Sequence, residues 1–239
     1  MCEAYFRHGR KTMKPLDILL VTPVSRDSAK GNRITTDRWE RILTNLGHNV
    51  TVRQEYDGYE YDLVVAIHAR RSSQAIFDFK ERNPERPVVL ALAGTDLYRD
   101  IHEEERARQA LLESDYYVTL QPKGHEQLPH EMHERVHVIY QSVSEVPDES
   151  SPPEKTFLVS VVGHLREVKD PFRAAKASRL LPDDSTMEIV QIGGALEDEY
   201  ADEARKLESE LPRYHWKGRV SRKESVEWIS RSHVTINSS

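Results

Sequence analysis

Where apolar, β-forming runs stop in this sequence, glycines and cations follow. The segment VVGHLREVKDP, Val161–Pro171, halts at Gly163 and then carries His164, Arg166 and Lys169. Gly163 lets a backbone approach a ligand closely, and Arg166 and Lys169 can neutralise a polyanion. Asp170 and Pro171 are expected to open a helix as its cap and first-turn residue. Those residue types in that order point to a bound diphosphate; the bland alternative is a surface turn with solvated cations. IGGALED supplies a second glycine turn, Gly193 and Gly194. KGRV supplies a third, in which backbone from Gly218 to Val220 can lie against a flat nucleobase.

The first half of the chain has its own set. In AIHARRSS a buried-looking strand runs into His68, Arg70, Arg71 and Ser72. Two guanidinium groups beside a helix start capped by Ser72 would bind phosphate or carboxylate; solvated arginines are the alternative. His68 is either an acid/base group or a packed strand-end residue. GNRITTDRW offers Gly31, Asn32 and Thr35 at another helix start, or an ordinary capped turn. In LAGTDLYRD, Thr95 and Asp96 can hydrogen-bond a hydroxyl-rich ligand, or Asp96 stabilises the loop. Gln141, in VIYQS, is either a ligand contact or a hinge residue. His125, His130, His133 and His137 do not share a helical face because Pro129 intervenes, so no metal site is expected.

These residues need strands to carry them. Apolar runs alternate with helix-length amphipathic segments, the mark of repeated βα units and a parallel α/β sheet. LDILLVTP reads as a strand buried on both faces, followed by a helix with Trp39, Ile42, Leu43 and Leu46 at helical spacing and Gly47 as its stop. HNVTVRQ, YDLVVAIHA, RPVVLALAG, DYYVTLQ and RVHVIYQS complete six strands, with helices at SSQAIFDFKER and HEEERARQALLES and a short one near KGHEQLP. After VSEVPDESSPPEK, a linker by composition, the rhythm restarts with strands TFLVSVVG, MEIVQIGG, YHWKG and HVTINSS. Helices are expected at PFRAAKASRLL, DEYADEARKLESEL and RKESVEWISRS. The expected organisation is an extension (1–14), a complete Rossmann-like domain (15–142), a linker (143–155) and a partial second Rossmann-like domain (156–239). In such a pair the carboxyl ends of both sheets are expected to flank a ligand cleft.

The composition, 38% hydrophobic and 31% charged, is that of a globular chain, and no apolar run has the length of a membrane span. A net charge of -6 argues against a surface coated by nucleic acid. A single cysteine, Cys2, lies in the extension, which excludes a disulfide framework and fits a cytoplasmic protein.

VVGHLREVKDP, IGGALED and KGRVSRKESVEWISRSHVTINSS together resemble the donor domain of retaining two-domain GT-B glycosyltransferases. With LLVTP, GNRITTDRW, VVAIHARRS, LAGTDLYRD and VIYQS, the chain from Leu16 to Ser239 is similar to the selenosugar synthases (SenB) of selenoneine biosynthesis. The resemblance implies two Rossmann-like domains, a UDP-sugar donor (UDP-N-acetylglucosamine or UDP-glucose), selenophosphate as acceptor, and no cofactor or metal. It implies catalytic roles for Arg166 and Lys169, which would stabilise the leaving diphosphate, with His68 as a further candidate. Donor contacts would come from Gly163, His164, Gly193, Gly194, Gly218 and Val220. Acceptor or anion contacts would come from Gly31, Asn32, Arg70, Arg71, Ser72, Thr95, Asp96 and Gln141. The family pattern has arginine where this chain has His164 and continues past NSS into a glutamate-containing segment, so a truncated second domain is expected. A UDP-sugar epimerase of the same architecture and an inactive or anion-binding fragment are the competing readings.

Overall fold

The computed structural model describes residues 14–25, 31–92, 94–142 and 151–238. Residues 1–13, with Cys2, and 143–150 of the expected linker lie outside the described residues. The chain divides into two compact units, residues 1–142 and 143–239. Among the described residues no helix is long and apolar enough to cross a membrane.

The first unit is a six-stranded, wholly parallel sheet in the order β2-β1-β3-β4-β5-β6. Its strands are β1 (Asp17–Val21), β2 (Asn49–Arg53), β3 (Leu63–Ile67), β4 (Val88–Leu92), β5 (Tyr116–Thr119) and β6 (Val136–Val138). Its helices are α1 (Gly31–Asn45), α2 (Ser73–Arg82), α3 (Ile101–Glu103) and α4 (Glu105–Leu112). Alternate residues of one strand serve opposite faces, as the two-residue pleat requires. Leu19, Val64 and Leu90 pack with Phe79 of α2 and Ala107 of α4. Ile18, Leu20, Val65 and Ala91 pack with Trp39 and Leu43 of α1. Burial on both faces is why these strands read as nearly unbroken apolar runs.

The helix expected over HEEERARQALLES is broken. A wide π-helical turn, Asp96–Asp100, leads into α3; Glu104 then takes an extended conformation and α4 begins. The buried Asp100, held by Arg70 and Arg99, fixes this turn.

The second unit holds β7 (Phe157–Val162), β8 (Met187–Ile192), β9 (Tyr214–Trp216) and β10 (Val234–Ile236), parallel and in the order β10-β7-β8-β9. Its helices are α5 (Arg173–Ala177), α6 (Asp198–Glu210) and α7 (Arg222–Ser230). Val159, Val161 and Ile189 face Phe172, Ala175, Ala204 and Leu207. Leu158, Val190 and Ile192 face Val220 and Trp228. The α/β fold class and doubly wound sheets are therefore as the sequence implied.

Candidate functional site

In the second unit three strand-end turns are stitched together by backbone. The Gly163 N–H donates to the Ile192 carbonyl at 2.8 Å, the Leu165 N–H to Gly194 at 3.1 Å, and the Gly193 N–H to Gly218 at 2.8 Å. The indole Nε1 of Trp216 donates to the Gly193 carbonyl at 2.9 Å. Gly193 must be glycine: its φ is +144°, and a Cβ there would lie 1.9 Å from the Gly163 carbonyl oxygen. At Gly163 itself a Cβ would meet nothing within 4 Å, so the space beside this backbone is open. Gly218 has the left-handed φ of +64° that lets its turn close onto Gly193.

The turn after β7 carries the cations. Arg166 is half-buried, and its guanidinium forms no hydrogen bond or ion pair with the described residues. Lys169 ends a short 3-10 turn, Glu167–Lys169. Ser238, beyond β10, donates its hydroxyl to the carbonyls of Lys169 (3.0 Å) and Asp170 (2.9 Å), tying the turn to the last strand. A crevice opens here, lined by Gly163, His164, Lys169, Pro171, Gln191 and Asn237 among others.

Asp170 does not cap a helix. It takes the left-handed region at φ 39°, its carboxylate pairs with Arg173, and α5 starts only at Arg173 with Phe172 before it. Five residues later the chain tightens into a 3-10 turn, Ser178–Leu180. So short a helix contributes little dipole, and the side-chain cations and backbone amides of the turn are what an anion would meet. The Val220 side chain packs against the core residues Leu158, Val190 and Ile192, so Val220 offers its backbone rather than its side chain for ligand contact. A Cβ on Gly194 would touch Arg219 Cβ at 3.4 Å.

In the first unit, the ends of β3 and β4 bring His68, Arg70, Arg71, Asp96 and Asp100 together. His68 is 3% exposed and takes a φ of +79°, rare for a residue with a side chain. Neither ring nitrogen has a hydrogen-bond partner, and the nearest carboxylate oxygen of Asp100 lies 3.9 Å from Nε2. Asp96 is fully buried and acts as a backbone brace, accepting the N–H of Ala69 at 3.1 Å and of Gly94 at 2.8 Å. Asp100 accepts Arg70 Nε at 2.8 Å and Arg99 Nε at 3.0 Å. Burial alone would raise the Asp100 pKa, but these guanidinium bonds and charges outweigh it and hold the carboxyl below its usual range.

Arg70 is thus committed to Asp100, while Arg71 is exposed and forms no ion pair among the described residues. Ser72 precedes α2 without capping it, because its hydroxyl donates back to the Ile67 carbonyl at 2.6 Å. Thr95 is exposed at the start of the π turn. Gln141 sits elsewhere, donating to Thr35 Oγ1 at 3.2 Å and accepting from Arg38 on α1. That places it against α1, the helix that Gly31 and Asn32 open; a Cβ on Gly31 would meet nothing within 4 Å. The rings of His125 and His133 lie 3.9 Å apart, and a ring nitrogen of each contacts a main-chain carbonyl, of His133 and Leu128 respectively.

Burial pushes the His68 pKa down; Arg71 and Arg70 push the same way, while Asp96 and Asp100 oppose them. The imidazole is therefore neutral at pH 7. In the unfolded chain it takes up a proton as the pH falls through about 6.5, and in the folded protein only lower, so unfolding binds protons in that window and stability falls with pH. The window lies above the carboxylate range in which Asp100 acts. His68→Asn, which tolerates positive φ, is expected to lose less melting temperature than the wild type between pH 7 and pH 5. Parallel melting profiles for the two proteins would contradict the assignment.

Gln191 escaped the sequence reading. Its signal was there: one polar residue inside the otherwise apolar stretch IVQI.

No protein-family model matches this chain, and no functionally curated protein does. Solved structures do. HepE from Anabaena, crystallised with UDP and glucose, superimposes with a TM-score of 0.62 at 15% identity over 93% of this chain and 74% of its own. The catalytic domain of starch synthase IV from Arabidopsis thaliana, bound to ADP and acarbose, gives 0.68 at 10% identity over 94% and 78%. A putative UDP-N-acetylglucosamine 2-epimerase from Listeria monocytogenes gives 0.53 at 10% identity over 93% and 74%. At these identities the likeness establishes the fold, and the chain has the α/β architecture of Rossmann-like units that GT-B glycosyltransferases share.

Proposed function

We propose that this protein is a glycosyltransferase whose second unit takes a UDP-sugar and whose first unit serves the acceptor. The observation that carries the donor half is the stitched set of glycine turns with Lys169 on the adjoining crevice. It occurs in a fold shared with a protein crystallised with UDP and glucose. Cations at this turn neutralise charge that grows on the diphosphate as the bond to the sugar breaks. No metal is needed for that step, and EDTA is expected to leave the rate unchanged.

For the acceptor we propose selenophosphate, on the motif resemblance together with Arg71, an exposed guanidinium with no ion pair among the described residues. Selenium forms a bond to the anomeric carbon as the carbon–oxygen bond to UDP breaks. Hydrolysis of the phosphorus–selenium bond by water then leaves a 1-seleno sugar and phosphate. Selenium is nucleophilic without a strong base, so a buried neutral His68 is compatible with the step. The test is mass spectrometry after incubation with selenophosphate and UDP-N-acetylglucosamine or UDP-glucose. A selenium–carbon product is expected; its absence alongside UDP-sugar binding would remove the selenium acceptor and leave the donor half standing. Isomerised UDP-sugar formed without any acceptor would favour the epimerase reading, for which the Listeria likeness speaks.

A further inference from the structure

The inward positions of β8 are apolar with one exception. Ile189, Val190 and Ile192 fill the two cores, whereas Gln191 between them is 1% exposed and polar. The sheet register sets it beside Val161 of β7 and Trp216 of β9. Its carbonyl is satisfied by the Lys217 N–H at 2.9 Å, but its side-chain Oε1 is buried with no hydrogen-bond partner. The His164 Nδ1 is buried without a partner too. Both residues line the crevice that Gly163, Lys169 and Asn237 share.

Buried amide oxygens in folded proteins are nearly always paired, and one left unpaired costs stability that a leucine of similar volume would restore. A group that weakens the fold in this way at the edge of a ligand crevice fits a binding role. Phosphate oxygens at neutral pH chiefly accept hydrogen bonds and do not satisfy another acceptor, whereas ribose and hexose hydroxyls donate.

We propose that Gln191 and His164 form a polar floor to the donor crevice, and that Gln191 Oε1 accepts a hydrogen bond from a hydroxyl of the bound nucleotide sugar. This rests on the donor reading above. Calorimetric titration of wild type and Gln191→Leu with UDP and with UDP-glucose tests it, alongside melting curves. The variant is expected to melt no lower than wild type and to bind UDP-glucose about tenfold more weakly, the worth of one buried hydrogen bond. Equal weakening toward UDP places the hydroxyl on the ribose; weakening toward UDP-glucose alone places it on the hexose. Unchanged affinity for both ligands overturns the proposal while leaving the donor reading intact. Failure of the wild type to bind either ligand overturns the donor reading itself. Should Gln191→Leu not fold, Gln191→Met, unbranched and close in volume, carries the same expectations.

Discussion

Lys169→Ala is expected to slow sugar transfer by about 10²–10³-fold, the usual loss when one preorganised group that stabilises developing charge is removed. The lysine lines the crevice at the end of β7, and its backbone is held on both sides: its carbonyl accepts Ser238 and its N–H donates to the Arg166 carbonyl at 3.0 Å. Neither backbone bond needs the side chain, so the turn is expected to survive its removal and the melting temperature to move little. Negative charge on the leaving diphosphate is greater in the transition state than in the bound donor, so kcat should fall more than affinity for UDP-sugar. Arg166→Ala should cost less, about tenfold, because Arg166 is not among the residues that line the crevice and acts through a more screened charge. Lys169→Arg keeps the charge but spreads it over a planar fork, and is expected to recover only part of the rate. The readout is steady-state kinetics with UDP-sugar varied. A Lys169→Ala enzyme with wild-type kcat would remove this lysine from the reaction and leave the diphosphate to the backbone amides.

How far these assignments were legible in the sequence depends on what each rests upon. The strands were legible because burial on both faces leaves an unbroken apolar signature, as in DILLV, where only Asp17 is exposed. Shared location at strand ends was legible too, since a parallel sheet delivers every strand-to-helix turn to one edge. Side-chain commitments were not. Nothing in HARRS says that Arg70 is held by a carboxylate 30 residues away while Arg71 is not, because the pairing depends on the π turn that buries Asp100. The start of α5 was misplaced for a related reason. Asp-Pro is a common helix opening, but the clasp of Ser238 holds the carbonyl of Asp170, which takes the left-handed region, and the helix begins later. Gln191 was missed because a glutamine in a strand is informative only once its neighbours are known to be core.

Gly193→Ala is expected to be the most destabilising single change in the second unit, by about 3–5 kcal/mol. Two separate costs coincide. A φ of +144° lies where residues with a Cβ are strained, and the added carbon would sit 1.9 Å from the Gly163 carbonyl oxygen and 2.5 Å from its carbon. The obstacle is backbone and has no rotamer through which to escape. Relief requires the turns after β7 and β8 to part, which breaks the Gly163–Ile192, Leu165–Gly194 and Gly193–Gly218 hydrogen bonds together. Since β7 and β8 are adjacent strands in the middle of the four-stranded sheet, the damage reaches the core that Val161 and Leu165 share with Phe172. For a unit of roughly 100 residues such a loss lowers the melting temperature by roughly 15 °C or more. Gly31→Ala is the matched control. Its Cβ would meet nothing within 4 Å, its φ is not in the positive region, and it sits at the first residue of α1, so it should leave stability unchanged or raise it slightly. Calorimetric scans of the two variants decide the matter: equal melting temperatures would mean that the close approach of the two glycine turns is not what holds the candidate donor site together.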